Sequence, residues 1–199
     1  MKSVTTICGS LQSASANQAM LDVISASFEE SGEFIVVPAT GLGDIPALNP
    51  ERDGFIPAEV SRLRSQLAES DAVIVAAPEY AGGIAGGLKN CLDWIVGSGE
   101  FYQLPVALMS AGTSGGPNAL NQMARTLTWQ GAYVVSLLGV RGPKAKSDDD
   151  GVIVDPETIA QIRSVADTLK SVLSMERSEV IHLARDIAER VGYDPDRVI

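Results

Sequence analysis

The chain has 199 residues, a formal net charge of −10 at pH 7, 45% hydrophobic residues and only 5% aromatics. That length suits one compact domain with a full core, or one domain plus a tail, and the composition suits a soluble Val/Ile/Ala-rich α/β protein. The acidic balance argues against bulk nucleic-acid binding, which uses clustered Lys and Arg, and no apolar run reaches the roughly 18 residues of a membrane span. With no charged-then-apolar leader ahead of the first apolar run, a cytoplasmic protein is expected. The two cysteines, Cys8 and Cys91, are too few for a disulfide framework and match no metal-site spacing, so both are expected buried and reduced.

Apolar runs alternate with helical periodicity along the chain. The pattern predicts a strand over 3–8, a helix over 16–30 and a second strand over 33–38. A Gly/Pro/Asn-rich loop, 39–56, then leads to a helix over 57–69. The continuous run Ala72-Val73-Ile74-Val75-Ala76-Ala77 reads as a central strand buried on both faces. A helix over 84–96, a strand over 105–110, a helix over 117–129 and a strand over 132–140 come next. Beyond the acidic run Asp148-Asp149-Asp150, a fifth helix covers 156–174. This alternation predicts an α/β protein, a flavodoxin-like three-layer sandwich around a five-stranded parallel sheet of order 2-1-3-4-5. Residues 1–174 would form that domain and 175–199 a C-terminal helical extension. In the extension Val180, Leu183, Ile187 and Val191 make an apolar stripe that docks on the domain or on a partner subunit.

Sheets of this kind bind ligands beyond the carboxyl ends of their strands, at the switch point between strands 1 and 3. The first loop there is Gly9-Ser10-Leu11-Gln12-Ser13-Ala14-Ser15-Ala16-Asn17. It carries neither GxxxxGK[ST] nor GxGxxG, so it is neither a P-loop nor a dinucleotide fingerprint. A helix cap would need only Ser15 or Asn17. The surplus of small hydroxyls and amides at a helix start favours an anion such as a phosphate. The second loop, Pro78-Glu79-Tyr80-Ala81-Gly82-Gly83-Ile84-Ala85-Gly86-Gly87, combines four glycines with an aromatic ring. Glycines let backbone approach a flat ligand closely, and Tyr80 offers an aromatic face.

Together these loops resemble the NADPH-dependent FMN reductase family, which includes flavodoxin-like quinone, chromate and azo-dye reductases. The family's first motif, roughly GSxRxxSxN, corresponds to Gly9 through Asn17, and its second, roughly PEYxxxxPGxLKNxxDW, to Pro78 through Trp94. The resemblance implies that Ser10, Gln12, Ser15, Ala16 and Asn17 hold the FMN phosphate. It implies that Pro78, Glu79, Tyr80, Ala81 and Gly82 line the isoalloxazine. The third loop, with Ser110, Gly112, Thr113, Ser114 and Gly115, would approach the other side of the ring. A homodimer, or a dimer of dimers, built on the third and fourth helices is implied as well. Two positions depart from the family pattern: its phosphate-binding arginine is Gln12 here, and the proline of its second motif is Ala85. Losing a charge-assisted bond to phosphate, worth about 1.5–3 kcal/mol, would weaken FMN by about one to two decades unless backbone amides compensate.

The activity implied is ping-pong hydride transfer from NADPH or NADH through bound FMN to a small electron acceptor: free flavin, a quinone, a metal oxyanion or an azo compound. Flavin N5 carries the transfer, so no catalytic side chain and no metal are required. Two other readings compete. Gln12 motivates a flavin-binding or degenerate scaffold without turnover. Gly112-Thr113-Ser114-Gly115-Gly116 also spells GxSxG, and the order Ser114, Asp148–Asp150, His182 matches a serine hydrolase. His182 is the only histidine, and helical spacing puts it on a solvated face with Asp186 and Glu189.

Overall fold

The computed structural model describes residues 1–52 and 56–199, so positions 53–55 of the loop predicted over 39–56 lie outside the described residues. Five long strands form one parallel sheet: β1 (Lys2–Cys8), β2 (Phe34–Pro38), β3 (Ala72–Ala76), β6 (Pro105–Gly112) and β7 (Tyr133–Arg141). Two short ones, β4 (Glu79–Tyr80) and β5 (Gly83–Ile84), pair antiparallel as a separate hairpin. The main sheet runs β2-β1-β3-β6-β7, which is the predicted 2-1-3-4-5 once the hairpin is set aside. Six helices accompany it: α1 (Ala16–Glu29), α2 (Ala58–Ala68), α3 (Gly86–Ile95), α4 (Pro117–Trp129), α5 (Pro156–Val172) and α6 (Arg177–Arg190). None of the described helices is long and apolar enough to cross a membrane.

Strand β3 is buried along its whole length. Its side chains alternate between two cores because successive residues of a strand point to opposite faces. Ile74 and Ala76 join Met20, Ile24, Phe28, Ile162 and Leu169 under α1 and α5. Val73 and Val75 join Leu63, Leu88, Leu92, Met123 and Leu127 under α2, α3 and α4. A strand covered on both sides has no polar face, which is why its sequence is an unbroken apolar run.

Strands β1 and β3 end in step. Cys8 pairs with Ala76 across β1 and β3, and Ala76 with Met109 across β3 and β6. The ladder continues one residue further, with Gly9 N donating to Ala76 O at 2.8 Å and Ala77 N to Met109 O at 3.0 Å. The first two loops therefore leave at one level, and the third leaves the same end of the sheet after β6 has run three residues further, to Gly112.

Helix α6 packs on β7, the edge strand. Val180, Ala184 and Ala188 enter the core on the α1/α5 side, while Ile187 and Val191 enter the other. The helix thus straddles the end of the sheet and shields a strand edge that would otherwise be open to pairing. Its buried stripe includes Ala184 and Ala188, and the expected Leu183 is only half-buried. Tyr133 Oη, on β7, donates to Ile199 O at 2.8 Å and accepts from Arg177 Nε at 3.2 Å, tying the last residues to the same edge.

Candidate active site

The first loop is set by Gly9. A Cβ there would lie 2.4 Å from Ala77 Cβ, so only glycine lets the segment after β1 lie against the segment after β3. At its far end Ser15 caps α1, its Oγ accepting from Asn17 N at 3.2 Å and Gln18 N at 3.4 Å. The backbone amides of Leu11, Ser13, Ala14 and Ala16 donate to no protein acceptor among the described residues. The first turn of α1 carries no acidic side chain. A cluster of unengaged N–H groups, serine hydroxyls and a positive helix end is the donor set a phosphate monoester needs. These residues fit the phosphate of FMN.

Asn17 is turned inward. Its Oδ1 accepts from Ala111 N at 2.8 Å and its Nδ2 donates to Ala111 O at 3.4 Å, so its amide mimics a neighbouring strand and clips α1 to the end of β6. Gln12 is exposed, its N donating to Ser10 Oγ at 3.3 Å. On its outer side Gln12 borders a cleft of about 660 Å³ that also holds Lys144, Asp22 and Asp148–Asp150. Ser13, Ala14, Ser15 and Ala16 line the same cleft, so an anion held at the start of α1 shares it with Lys144 and four carboxylates.

The second loop is a hairpin. Its two-residue turn, Ala81-Gly82, has φ of +49° and +73°, as a type I′ turn requires at both central positions. Pro78 is buried and Tyr80 is exposed. Glu79 reaches across to α4, whose N-cap is Gly116 and which lacks a side-chain cap of its own. Its Oε2 accepts from Asn118 N at 2.8 Å and Ala119 N at 3.2 Å, and its Oε1 from Asn118 Nδ2 at 3.0 Å. Those bonds, led by the Asn118 side chain, hold the Glu79 carboxyl below the ordinary glutamate value.

The third loop comes after β6. Gly112 O accepts from Gly115 N at 3.2 Å and Gly142 N at 3.0 Å, folding the loop back toward the end of β7. Thr113 and Ser114 are exposed at its tip. Gly116, at φ +64°, leaves no room for a Cβ, which would fall 1.9 Å from Ser110 Oγ. Ser110 itself is fully buried beneath it, and its hydroxyl has no partner among the described residues. Of the fifteen residues singled out by sequence, Asn17 and Ser110 therefore face the interior, Ser15, Pro78 and Gly115 are also buried, and the Glu79 carboxylate is taken up by α4; Gln12, Tyr80, Ala81, Gly82, Thr113 and Ser114 are exposed. Asn118 and Gln122 on α4 and Ala111 on β6 were not anticipated. Polar Asn118 and Gln122 four residues apart, on a helix whose other face is apolar, were the available signal.

The hydrolase arrangement is not assembled. His182 lies on α6 with its side chain 78% exposed and its Nε2 3.9 Å from Asp186 Oδ2. No hydrogen bond links it to Ser114 among the described residues, and the chain contains no other histidine.

A parallel sheet in this order, with an anion-ready helix start after β1 and a glycine-lined, aromatic-bearing crevice at the switch point, defines a flavodoxin-like mononucleotide-binding protein. The family profile of NADPH-dependent FMN reductases matches residues 2–143. The chain belongs to that family, and so is an oxidoreductase that uses FMN with NAD(P)H as cosubstrate. It is 30% identical over 179 residues to the "probable NADPH:quinone oxidoreductase 2" of Oryza sativa subsp. japonica, covering 84% of this chain and 87% of the relative. It is also 30% identical over 165 residues to the quinone reductase of Escherichia coli (strain K12), covering 78% and 82%. Among solved structures, FerB, a flavoenzyme NAD(P)H:(acceptor) oxidoreductase from Paracoccus denitrificans, superposes with a TM-score of 0.71. That match has 22% identity and covers 86% of this chain and 98% of FerB.

The Glu79 cap carries a pH signature. A carboxyl whose folded pKa is depressed stabilises the fold above its unfolded pKa, and that contribution disappears as pH falls through the folded value. In urea titrations, Glu79→Gln should be less stable than the parent at neutral pH, with the difference closing as pH falls below the ordinary glutamate range. Asp155, also held low by its bonds to Thr158, is common to both proteins and cancels. A difference that stays constant with pH would refute the charged cap.

Proposed function

We propose that this protein carries reducing equivalents from NAD(P)H to a small acceptor in a two-stroke, ping-pong cycle. A quinone, free flavin, metal oxyanion or azo compound would each fit that description. The observation that supports it most is that β1, β3 and β6 send three loops out of the same end of the sheet, the first with unengaged amides at the start of α1 and the second with an exposed Tyr80. When bound, FMN supplies the hydride chemistry. The chain supplies binding, orientation and dipoles. The loop from Ser10 to Ala16 holds the phosphate, chiefly through backbone N–H groups and serine hydroxyls, and Asn17 braces that loop from within. Pro78, Glu79, Tyr80, Ala81 and Gly82 form the wall against which the ring lies. The exposed tip at Thr113 and Ser114, held by Gly112 and Gly115, would lie beside the ring, where free N–H groups favour developing negative charge.

No side chain has to act as an acid or base for hydride transfer, so the lack of histidine at the crevice is no obstacle. NAD(P)H and acceptor take turns on the same open face. The two thiols are in keeping with a reducing, cytoplasmic setting: both are free, and burial pushes Cys91 up to about 12, where it is inert.

A homodimer through α3 and α4 completes the proposal. Val96, 54% exposed, and Trp129, 65% exposed, share a groove between these helices. Apolar side chains this open on adjacent elements suit a covered face. Sedimentation should read a dimer or a dimer of dimers, and Val96→Glu should shift it towards the monomer. A monomeric parent protein would sink this part.

Purified protein should be yellow, or turn yellow and resist heat better on addition of FMN, and should oxidise NAD(P)H faster when FMN and a quinone are both present. Colourless protein without an FMN-induced thermal shift would overturn the flavin reading. Bound flavin with no stimulated oxidation would favour a scaffold without turnover, the reading that Gln12 motivates. Replacing Gln12→Arg should tighten FMN by about one to two decades, with little effect on riboflavin, because the new cation meets only the phosphate. Unchanged affinity would mean that the backbone donors already suffice.

A further inference from the structure

Helix α4 grips the β4–β5 hairpin at two levels. Its first turn serves Glu79 on the near strand. One turn on, on the same face, Gln122 reaches the turn and the far strand. Gln122 Nε2 donates to Gly82 O at 3.1 Å, and its Oε1 accepts from Ile84 N at 3.3 Å. The amide group lies against Gly83, where a Cβ would come within 3.0 Å of Oε1.

The hairpin has little strength of its own. Two strands of two residues make almost no ladder, and isolated hairpins are marginal even when longer. Its turn asks for positive φ at both central residues, yet the first of them is Ala81, held at +49° despite its Cβ. A strained turn persists only where its surroundings over-determine it. Here the surroundings include one glutamine side chain bonded to the turn itself and to the strand that leaves it. Glu79 cannot take this role, since it holds the strand that enters the turn and nothing beyond.

We propose that Gln122 is a positioning residue of the flavin pocket: by bonding Gly82 and Ile84 it fixes the conformation in which the hairpin offers Tyr80, Ala81 and Gly82 to the ring. The inference rests on the flavin reading above. It assigns Gln122 no contact with the cofactor. Its effect passes through the turn, so a residue that forms the same turn unaided should replace it. Asn-Gly is the strongest intrinsic former of a type I′ turn, and Ala81→Asn would create that pair.

The decisive comparison is of the parent protein, Gln122→Ala, and Gln122→Ala combined with Ala81→Asn. Amide hydrogen exchange over 79–84 is read without added flavin, FMN affinity by fluorescence quenching, and kcat and KM for NAD(P)H with a quinone acceptor. In Gln122→Ala, exchange at the hairpin should quicken by about fivefold or more, and FMN should bind about five- to tenfold more weakly, as for the loss of one or two exposed hydrogen bonds. KM should rise more than kcat falls. Adding Ala81→Asn should bring exchange and FMN affinity back to within about twofold of the parent. Unaltered exchange over 79–84 in Gln122→Ala would overturn the tether. Faster exchange with parental FMN affinity would overturn the positioning role, and so would weakened FMN that Ala81→Asn does not restore. A parent protein that binds no FMN would instead overturn the flavin reading, and this role with it.

Discussion

The site depends on how closely two chain segments approach where β1 and β3 end. At Gly9 and Ala77 the backbones come so near that even a methyl group at position 9 has no space. The approach is enforced by the parallel ladder, whose last bonds run from Gly9 to Ala76 and from Ala77 to Met109. Parallel strands deliver their loops to the same end of the sheet. A fold of this order then leaves a crevice at the point where adjacent connections depart in opposite directions. That register brings the three loops to one end of the sheet, and Asn17, Glu79 and Gln122 then hold them there.

Two helix N-termini face the crevice, and the chain treats them differently. Helix α4 receives an internal carboxylate, Glu79, which satisfies its first amides and neutralises its dipole. Helix α1 receives only a neutral serine, and the loop before it keeps unengaged amides. An anion is therefore drawn to α1 and not to α4, although the protein as a whole carries a net charge of −10. Asp22 and Asp148–Asp150 line the same cleft as the start of α1, so its dipole acts beside acidic charge that water and salt screen. On the function proposed above, the backbone amides of this loop would do at Gln12 what a cation does elsewhere.

The family match ends at residue 143, but the sheet also needs the helices beyond that point. Helix α5 covers one face with α1, and α6 closes the β7 edge by sending side chains into both cores. The segment after 174 packs as part of the same structure, fastened by Tyr133, Arg177 and the cation–π contact of Arg197 over Trp129 at 5.4 Å. That contact places the final turn beside the α3/α4 groove, so the C-terminal segment borders the face proposed for a partner subunit.

Element order, strand order and the three loops were legible in the amino-acid sequence. Burial on one or both faces writes itself into residue periodicity, and close backbone approach demands glycine wherever it occurs. What the sequence could not disclose are contacts between residues far apart along it. Asn17 meets Ala111 across 94 positions, and Glu79 meets Asn118 across 39. Both looked like ligand residues, because a polar side chain in a loop reads alike whether it turns outward or inward. The hairpin escaped notice for a second reason. Strands of two residues are too short to show alternation, and Ala81 is not a residue that announces a left-handed turn. Local composition alone thus determined which loops bear the chemistry. Only tertiary packing decided which of their side chains are spent on holding the loops in place, since hydrogen-bond partners are chosen by proximity in space.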